Sequence, residues 1–175
     1  MSQLRITSLG GGHGLHQTLL AAKRMTGAQD GDGKSPETSR VHAVVTVADD
    51  GGSSGRLRRE LAVIPPGDLR MAMAALTPET DDGSLRREAL QHRFGGNGAM
   101  AGHAVGNLII AGLTEMSGDI QQALDTVAQW CNAKGRVLPV ALEPLDIEAE
   151  VAGLDDDPRV LRAVRGQVAV ATTPG

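Results

Sequence analysis

Asp49 and Asp50 stand at the end of an apolar, strand-like run and are followed by Gly51, Gly52, Ser53, Ser54 and Gly55. Arginines come next at 56, 58 and 59, and the turn Pro65-Pro66-Gly67-Asp68 closes the stretch. Packing has no use for carboxylates, permissive backbone, hydroxyls and cations gathered at one strand end. A phosphorylated ligand held with a divalent cation uses all of them. Carboxylates bind Mg²⁺ or ribose hydroxyls, a guanidinium fits a phosphate, and glycine lets main-chain amides come close to one. Arg56, nearest the glycine turn, is the expected phosphate contact, while Arg59 and Glu60 read as the surface of a charged helix. Asp68 precedes a helical pattern, where capping and a ligand contact are compatible.

A second such concentration is Gly10-Gly11-Gly12-His13-Gly14, between a strand at 4–9 and an apolar-periodic helix at 15–25. A helix start after a glycine turn offers free N–H groups and a positive dipole end to a phosphate. The spacing is neither G-x-G-x-x-G nor G-x-x-x-x-G-K-[ST], which speaks against a redox dinucleotide and a P-loop. In an open α/β sheet ligands lie beyond the carboxyl ends of the strands. Asp49 and Asp50, ending the second strand at 41–47, should therefore adjoin the glycine loop and hold either ribose or Mg²⁺. A solvated Asx turn is the plainer alternative. His103 and Asn107, four apart in a helix expected over 103–116, would share one face. A histidine at a helix start is best neutral, accepting from a hydroxyl or donating to a phosphate; a histidine satisfied inside the fold is the other reading. No nucleophile elbow or Ser-His-Asp order is visible, the other histidines lack metal-ligand spacing, and Cys131 reads as a buried thiol.

These groups must be positioned by the rest of the chain. The Gly-rich stretch 27–40 reads as a polar loop. Helices are expected at 56–61, at 68–76 with Asp68 as N-cap, at 84–93, and after Asp119 through 131. Strands follow at 136–142, 146–152 and 166–171, with 155–165 a short helix or a loop. The order βαβ, helices, strands predicts an α/β fold, Rossmann-like and three-layered, with a mostly parallel sheet. Residues 172–175 would follow directly on a strand, which predicts a sheet incomplete at the C-terminal end.

The 175 residues suffice for one domain with a core, and the net charge of −4 gives no basic face for nucleic acid. One Trp, one Phe and no Tyr leave no stacking platform for single strands and argue against an aromatic-anchored interface. A single cysteine excludes a disulfide framework and fits a reducing cytosol. The apolar runs are too short for a signal peptide or a membrane span, so a cytoplasmic protein is expected.

The segments GGGHGL (10–15), VVTVADDGGSSGRLRREL (44–61), PPGDLR (65–70), HRFGG (92–96) and AGHAVGNLIIAGLTE (101–115) resemble the YvcK-like proteins of the CofD-like superfamily, in the form of its actinobacterial branch. The enzymatic branch of that superfamily is 2-phospho-L-lactate transferase. The resemblance runs from residue 4 to about residue 173. It implies a Rossmann-like fold, of which residues 1–175 would be the N-terminal portion, and a cytoplasmic protein of the gluconeogenesis-factor type. Such proteins are linked to carbon metabolism, cell shape and cell-wall synthesis and are associated with UDP-type nucleotide sugars. By position Gly10, Gly11, Gly12 and Gly14 match the phosphate loop, Asp49 and Asp50 the acidic pair, and Asp68, His103 and Asn107 the later motif residues. His13 stands where many members have Thr and Met71 where many have Asn, which argues against transferase chemistry. The reading is thus a non-catalytic binder of a nucleotide or nucleotide sugar, with Mg²⁺ the only cofactor suggested. The alternative is a Mg²⁺-dependent phospholactyl-type transferase with a nucleotide diphospho donor. A homo-oligomer and a regulatory protein partner are compatible with either.

Overall fold

The computed structural model describes residues 4–26, 40–155, 157 and 159–174. The expected loop at 27–40 falls outside them except for Arg40. Among the described residues a three-stranded parallel sheet is ordered β1-β2-β3, from β1 (Ile6–Gly10), β2 (Val41–Val45) and β3 (Arg136–Pro139). Helix α1 (Gly12–Met25) connects β1 to the parallel β2, the arrangement that a βα pattern predicts. Between β2 and β3 come α2 (Gly52–Leu61), α3 (Gly67–Leu76), α4 (Asp81–Gln91), α5 (Val105–Ser117) and α6 (Ile120–Cys131). An antiparallel pair, β4 (Glu148–Val151) and β5 (Arg162–Arg165), and a short α7 (Gln167–Thr172) follow.

The period-2 alternation of β2 decides which sheet face is covered. Val41, Ala43 and Val45 are fully buried with Val137 of β3, against Leu19 of α1, Leu69, Met73 and Leu76 of α3, and Leu124 and Val127 of α6. The opposite face carries Leu9, Val44 and Leu138, aligned in register across the three strands, and Leu9 is 74% exposed. With so few aromatics the core is filled by aliphatic side chains and methionine, so helices approach closely. Gly106 of α5 faces the Leu90 carbonyl, and Gly135 faces Leu76. Lys23 lies in this interior, its Nζ donating to the Thr77 carbonyl at the end of α3 at 2.7 Å. Burial lowers its ammonium from the usual lysine range.

Several boundaries differ from the sequence expectation, each for a local reason. The glycine-serine turn at 51–55 is the first turn of α2, because Gly55 N already donates to Gly51 O at 2.9 Å. His103 lies ahead of α5, tied into an isolated bridge between Arg93 and Ala104. Asp68 is not an N-cap; that position is Pro66, and Asp68 sits in the first turn of α3. The strand expected at 136–142 stops at Pro139. The segment expected as a strand at 166–171 is instead α7, and β5 arises inside the 155–165 stretch. Val-Ala-Val-Ala reads as alternation, yet Gly166 breaks the chain at φ 107° and the Asp50 carboxylate accepts from Val168 N at 2.9 Å. That distant acceptor supplies the helix start which no local residue provides. Residues 173 and 174 therefore follow a helix, not a strand.

The first turn of α2 leaves no room at Gly55, where an added Cβ would run into the Asp50 carbonyl oxygen. We expect Gly55→Ala to destabilise the domain by about 1–3 kcal/mol, the usual cost of overpacking against rigid backbone. Chemical denaturation checks this, and an unchanged midpoint would contradict the close approach.

Candidate functional site

Four helices begin at one place, beyond the carboxyl ends of β1 and β2. Helix α1 starts at Gly11, directly after β1, and Thr46 N ties the end of β2 to the Gly10 carbonyl at 2.9 Å. Gly11 comes so near α3 that a Cβ there would collide with the Asp68 carboxylate and Thr46. Gly67, opening α3, packs in the same way on Ser54 of α2 and on Asp49. Ser53 of α2 then reaches His103 and Asn107 at the start of α5. The glycine loop, the acidic turn, the Pro-Pro-Gly-Asp turn and the His/Asn segment are thus one site.

None of these four helices has a side-chain cap of its own: the N-cap residues are Gly11, Gly51, Pro66 and Ala104. By contrast, α4 is capped by Thr80 and α6 by Asp119, whose Oδ1 accepts from Gln121 N at 2.7 Å. A helix that ends in solvent benefits from Ser, Thr or Asp at that position. Gly, Pro or Ala there leaves the helix start without a side-chain acceptor and with its positive dipole end exposed to a ligand, although Val105 N of α5 already donates to the His92 carbonyl at 2.9 Å.

The structure separates the two adjacent acids. Asp49 Oδ1 accepts from Gly51 N at 3.0 Å and its other oxygen lies against Gly67, so this carboxylate faces the helix starts. Asp50 points the other way and holds α7. The hairpin carrying α7 is further fastened by Asp146, which bridges Arg165 and Arg58; those guanidinium groups hold its carboxyl below the usual range. The acid that Asp49 joins is Asp68. Burial, then the Asp49 charge, raises the Asp68 carboxyl above its ordinary value, against the Gly12 amide and the charges of Arg70 and His13.

Other predicted residues fall in and around the site. His13 is exposed on the first turn of α1, near enough to Asp68 for their charges to interact. Gly14 has open space around its Cα. Arg56 donates through Nη2 to the Ala101 carbonyl at 2.6 Å, anchoring the glycine-rich 95–102 loop beside His103. Sequence reasoning missed Ser53 and Arg70, both buried, which link to His103 and Asn107. The early signal for them was their place inside two of the motifs already singled out, 44–61 and 65–70.

Among the described residues no three His, Cys, Asp or Glu side chains gather as a metal cage. Two carboxylates do suit Mg²⁺, which commonly takes one or two from protein and the rest from phosphate and water. Mutual repulsion of Asp49 and Asp68 is what a cation between them would relieve.

The raised Asp68 carboxyl fixes a pH dependence. Below about pH 3.8, its unfolded value, both states are protonated and the group contributes nothing. As pH rises past that, the folded protein keeps a proton which the unfolded chain has lost, so stability falls until the folded carboxyl has ionised. Asp68→Asn, which keeps the side-chain shape, should raise the melting temperature at pH 7 and lose that advantage toward pH 3.5. Thermal scans across this range test it; an equal or lower melting temperature at pH 7 would refute the buried charge.

No helix among the described residues is long and apolar enough to cross a membrane. Comparison with known proteins fits this architecture. The profile of the family described as "2-phospho-L-lactate transferase CofD" matches residues 6–174. A Mycobacterium tuberculosis protein named "Putative gluconeogenesis factor" is 57% identical over 170 residues, 97% of this chain and 46% of that protein. The Bacillus subtilis "Gluconeogenesis factor" is 40% identical over 147 residues, 84% of this chain and 42% of its own length. A crystal structure of a UPF0052 family protein from Bacillus halodurans superposes with a TM-score of 0.76 at 34% identity, covering 97% of this chain and 47% of that one. The chain spans about half the length of the curated relatives it matches. With the Gly10–Gly14 loop, the Asp49 turn and the Pro-Pro-Gly-Asp turn joined at one sheet edge, the chain belongs to the CofD family, and over its length it is similar to proteins named gluconeogenesis factors.

Proposed function

We propose that this domain binds a nucleoside diphosphate sugar of the UDP type and serves as a regulatory sensor coupled to carbon metabolism, cell shape and cell-wall synthesis. The observation that carries the reading is the convergence of four helix starts without side-chain caps on one side of the sheet's carboxyl edge. Such a cluster of positive dipole ends attracts a dianionic group such as a diphosphate. The Gly10–Gly14 loop would hold it, with Arg56 and His13 at its margin. His103 and Asn107 would orient the ligand. Asp49 and Asp68 would hold Mg²⁺ against the diphosphate, supplying charge neutralisation there. Asp50 would reach a ribose only by releasing the Val168 amide.

The Asp49–Asp68 pair also favours a second reading, a Mg²⁺-dependent phospholactyl-type transferase, in which the cation would neutralise a departing nucleotide. The hydroxyl that does stand beside a histidine, Ser53 with His103, is buried and its oxygen accepts from Asn107 Nδ2, which is why binding is preferred.

Calorimetric titration of UDP-N-acetylglucosamine, with and without Mg²⁺, separates the two. Saturable binding without release of nucleotide supports the sensor. Mg²⁺-dependent release of nucleotide monophosphate from a guanosine diphospho donor with a deazaflavin acceptor supports the transferase. Asp49→Ala should weaken binding tenfold or more in Mg²⁺ and far less in its absence; an equal loss in both would remove the metal role. Gly14→Val tests the loop, because helical Cβ atoms tilt toward the helix start and the position has open space. Its melting temperature should change little while affinity falls at least tenfold, and retained affinity would rule out diphosphate at this loop.

A further inference from the structure

Behind the helix starts lies a chain of four buried polar side chains, Arg70, Asn107, Ser53 and His103, each no more than 4% exposed. Arg70 Nε donates to Asn107 Oδ1 at 2.9 Å, Asn107 Nδ2 donates to Ser53 Oγ at 3.0 Å, and Ser53 Oγ lies 3.0 Å from His103 Nδ1. The direction of every bond follows from the first. A guanidinium can only donate, so the Asn107 amide must turn its oxygen to Arg70 and its NH₂ to Ser53. Ser53 then receives one proton and must place its own. Its remaining partner at hydrogen-bond distance is His103 Nδ1, which must therefore be the bare nitrogen. In a neutral imidazole the proton is then on Nε2.

The far edge of the ring is the reactive one. Among the described residues no buried side-chain nitrogen or oxygen lacks a partner, and Nε2 makes no hydrogen bond to them, so it is the part of His103 that meets solvent. Neutrality has a separate support: burial and the Arg56 charge lower the His103 imidazole from its ordinary range, with Arg93 adding to this and Glu60 opposing it.

We propose that Arg70, Asn107 and Ser53 are positioning residues that lock His103 in the Nε2–H tautomer, so that it presents a neutral hydrogen-bond donor to an anionic oxygen of the ligand. The ligand end of this inference rests on the diphosphate reading; the tautomer does not. Across the neutral range the site thereby gains a donor without the desolvation cost of a buried imidazolium. It also excludes His103 as a general base toward the ligand, since its lone pair is spent on Ser53.

Long-range ¹H–¹⁵N correlation spectra of the ligand-free, ¹⁵N-labelled chain read the tautomer directly. The expected result for His103 is a bare Nδ1 and a protonated Nε2. Asn107→Asp keeps the shape and the Arg70 contact but can no longer donate. Ser53 should then donate to the new carboxylate, and His103 should become protonated at Nδ1. Ser53→Ala should give a mixture of tautomers, with Ser53→Thr restoring the single form. A protonated Nδ1 in the unaltered protein, or the same spectrum in Asn107→Asp and Ser53→Ala, overturns the relay. UDP-N-acetylglucosamine affinity should fall at least tenfold in Asn107→Asp. If the spectra behave as expected but the unaltered chain shows no saturable binding of that nucleotide sugar, the relay stands and the ligand reading fails.

Discussion

The site depends on four helix starts being held together. Helix starts carry partial positive charge, and bringing four of them to one point is unfavourable unless close packing and counter-charges hold them there. Packing is provided where the chain has no side chain: Gly11 lies on Asp68 and Thr46, and Gly67 lies on Ser54 and Asp49. Counter-charge comes from Asp49, which accepts from Gly51 N, and from Asp68, whose carboxylate lies against Gly11. The two carboxylates in turn repel each other, so the arrangement is balanced but not relaxed. A diphosphate with a cation would satisfy both halves of that balance.

The surrounding elements make this economical. The buried sheet face and the aliphatic core fix α1, α3 and α6 firmly, while the capped α4 and α6 need nothing from the site. The relay from Arg70 to His103 belongs to the same logic. A buried guanidinium, held down to about 10 by desolvation and by Arg93, is tolerable because its Nε proton is used to orient Asn107. A polar chain of this kind is stable only when each donor finds an acceptor, and that requirement gives the relay its single direction.

The second half of the chain shows how a remote residue can override local pattern. Asp50 reads as a partner of Asp49, yet its carboxylate starts α7 more than a hundred residues later. The Arg58–Asp146–Arg165 bridges then fasten the hairpin to α2. As a result, what looks like an acidic pair acts on two sides of one turn. Asp49 serves the site and Asp50 serves the architecture beside it.

The sequence by itself determined the parallel βαβ start and the helix capped by Asp119, and it singled out the two glycine-rich turns that the fold brings together. Those features are encoded within a few residues by hydrophobic period, capping side chains and glycine spacing. It also marked Asp68, His103 and Asn107, because polar groups at helix starts need a reason. Only tertiary structure decided that Asp68, not Asp50, stands with Asp49, that Ser53 and Arg70 complete the polar chain, and that residues 167–172 are helical. Each of those outcomes turns on one hydrogen bond or close approach between segments distant in sequence. Local propensity carries no information about such a contact, since its partner is chosen only when the chain has folded around it.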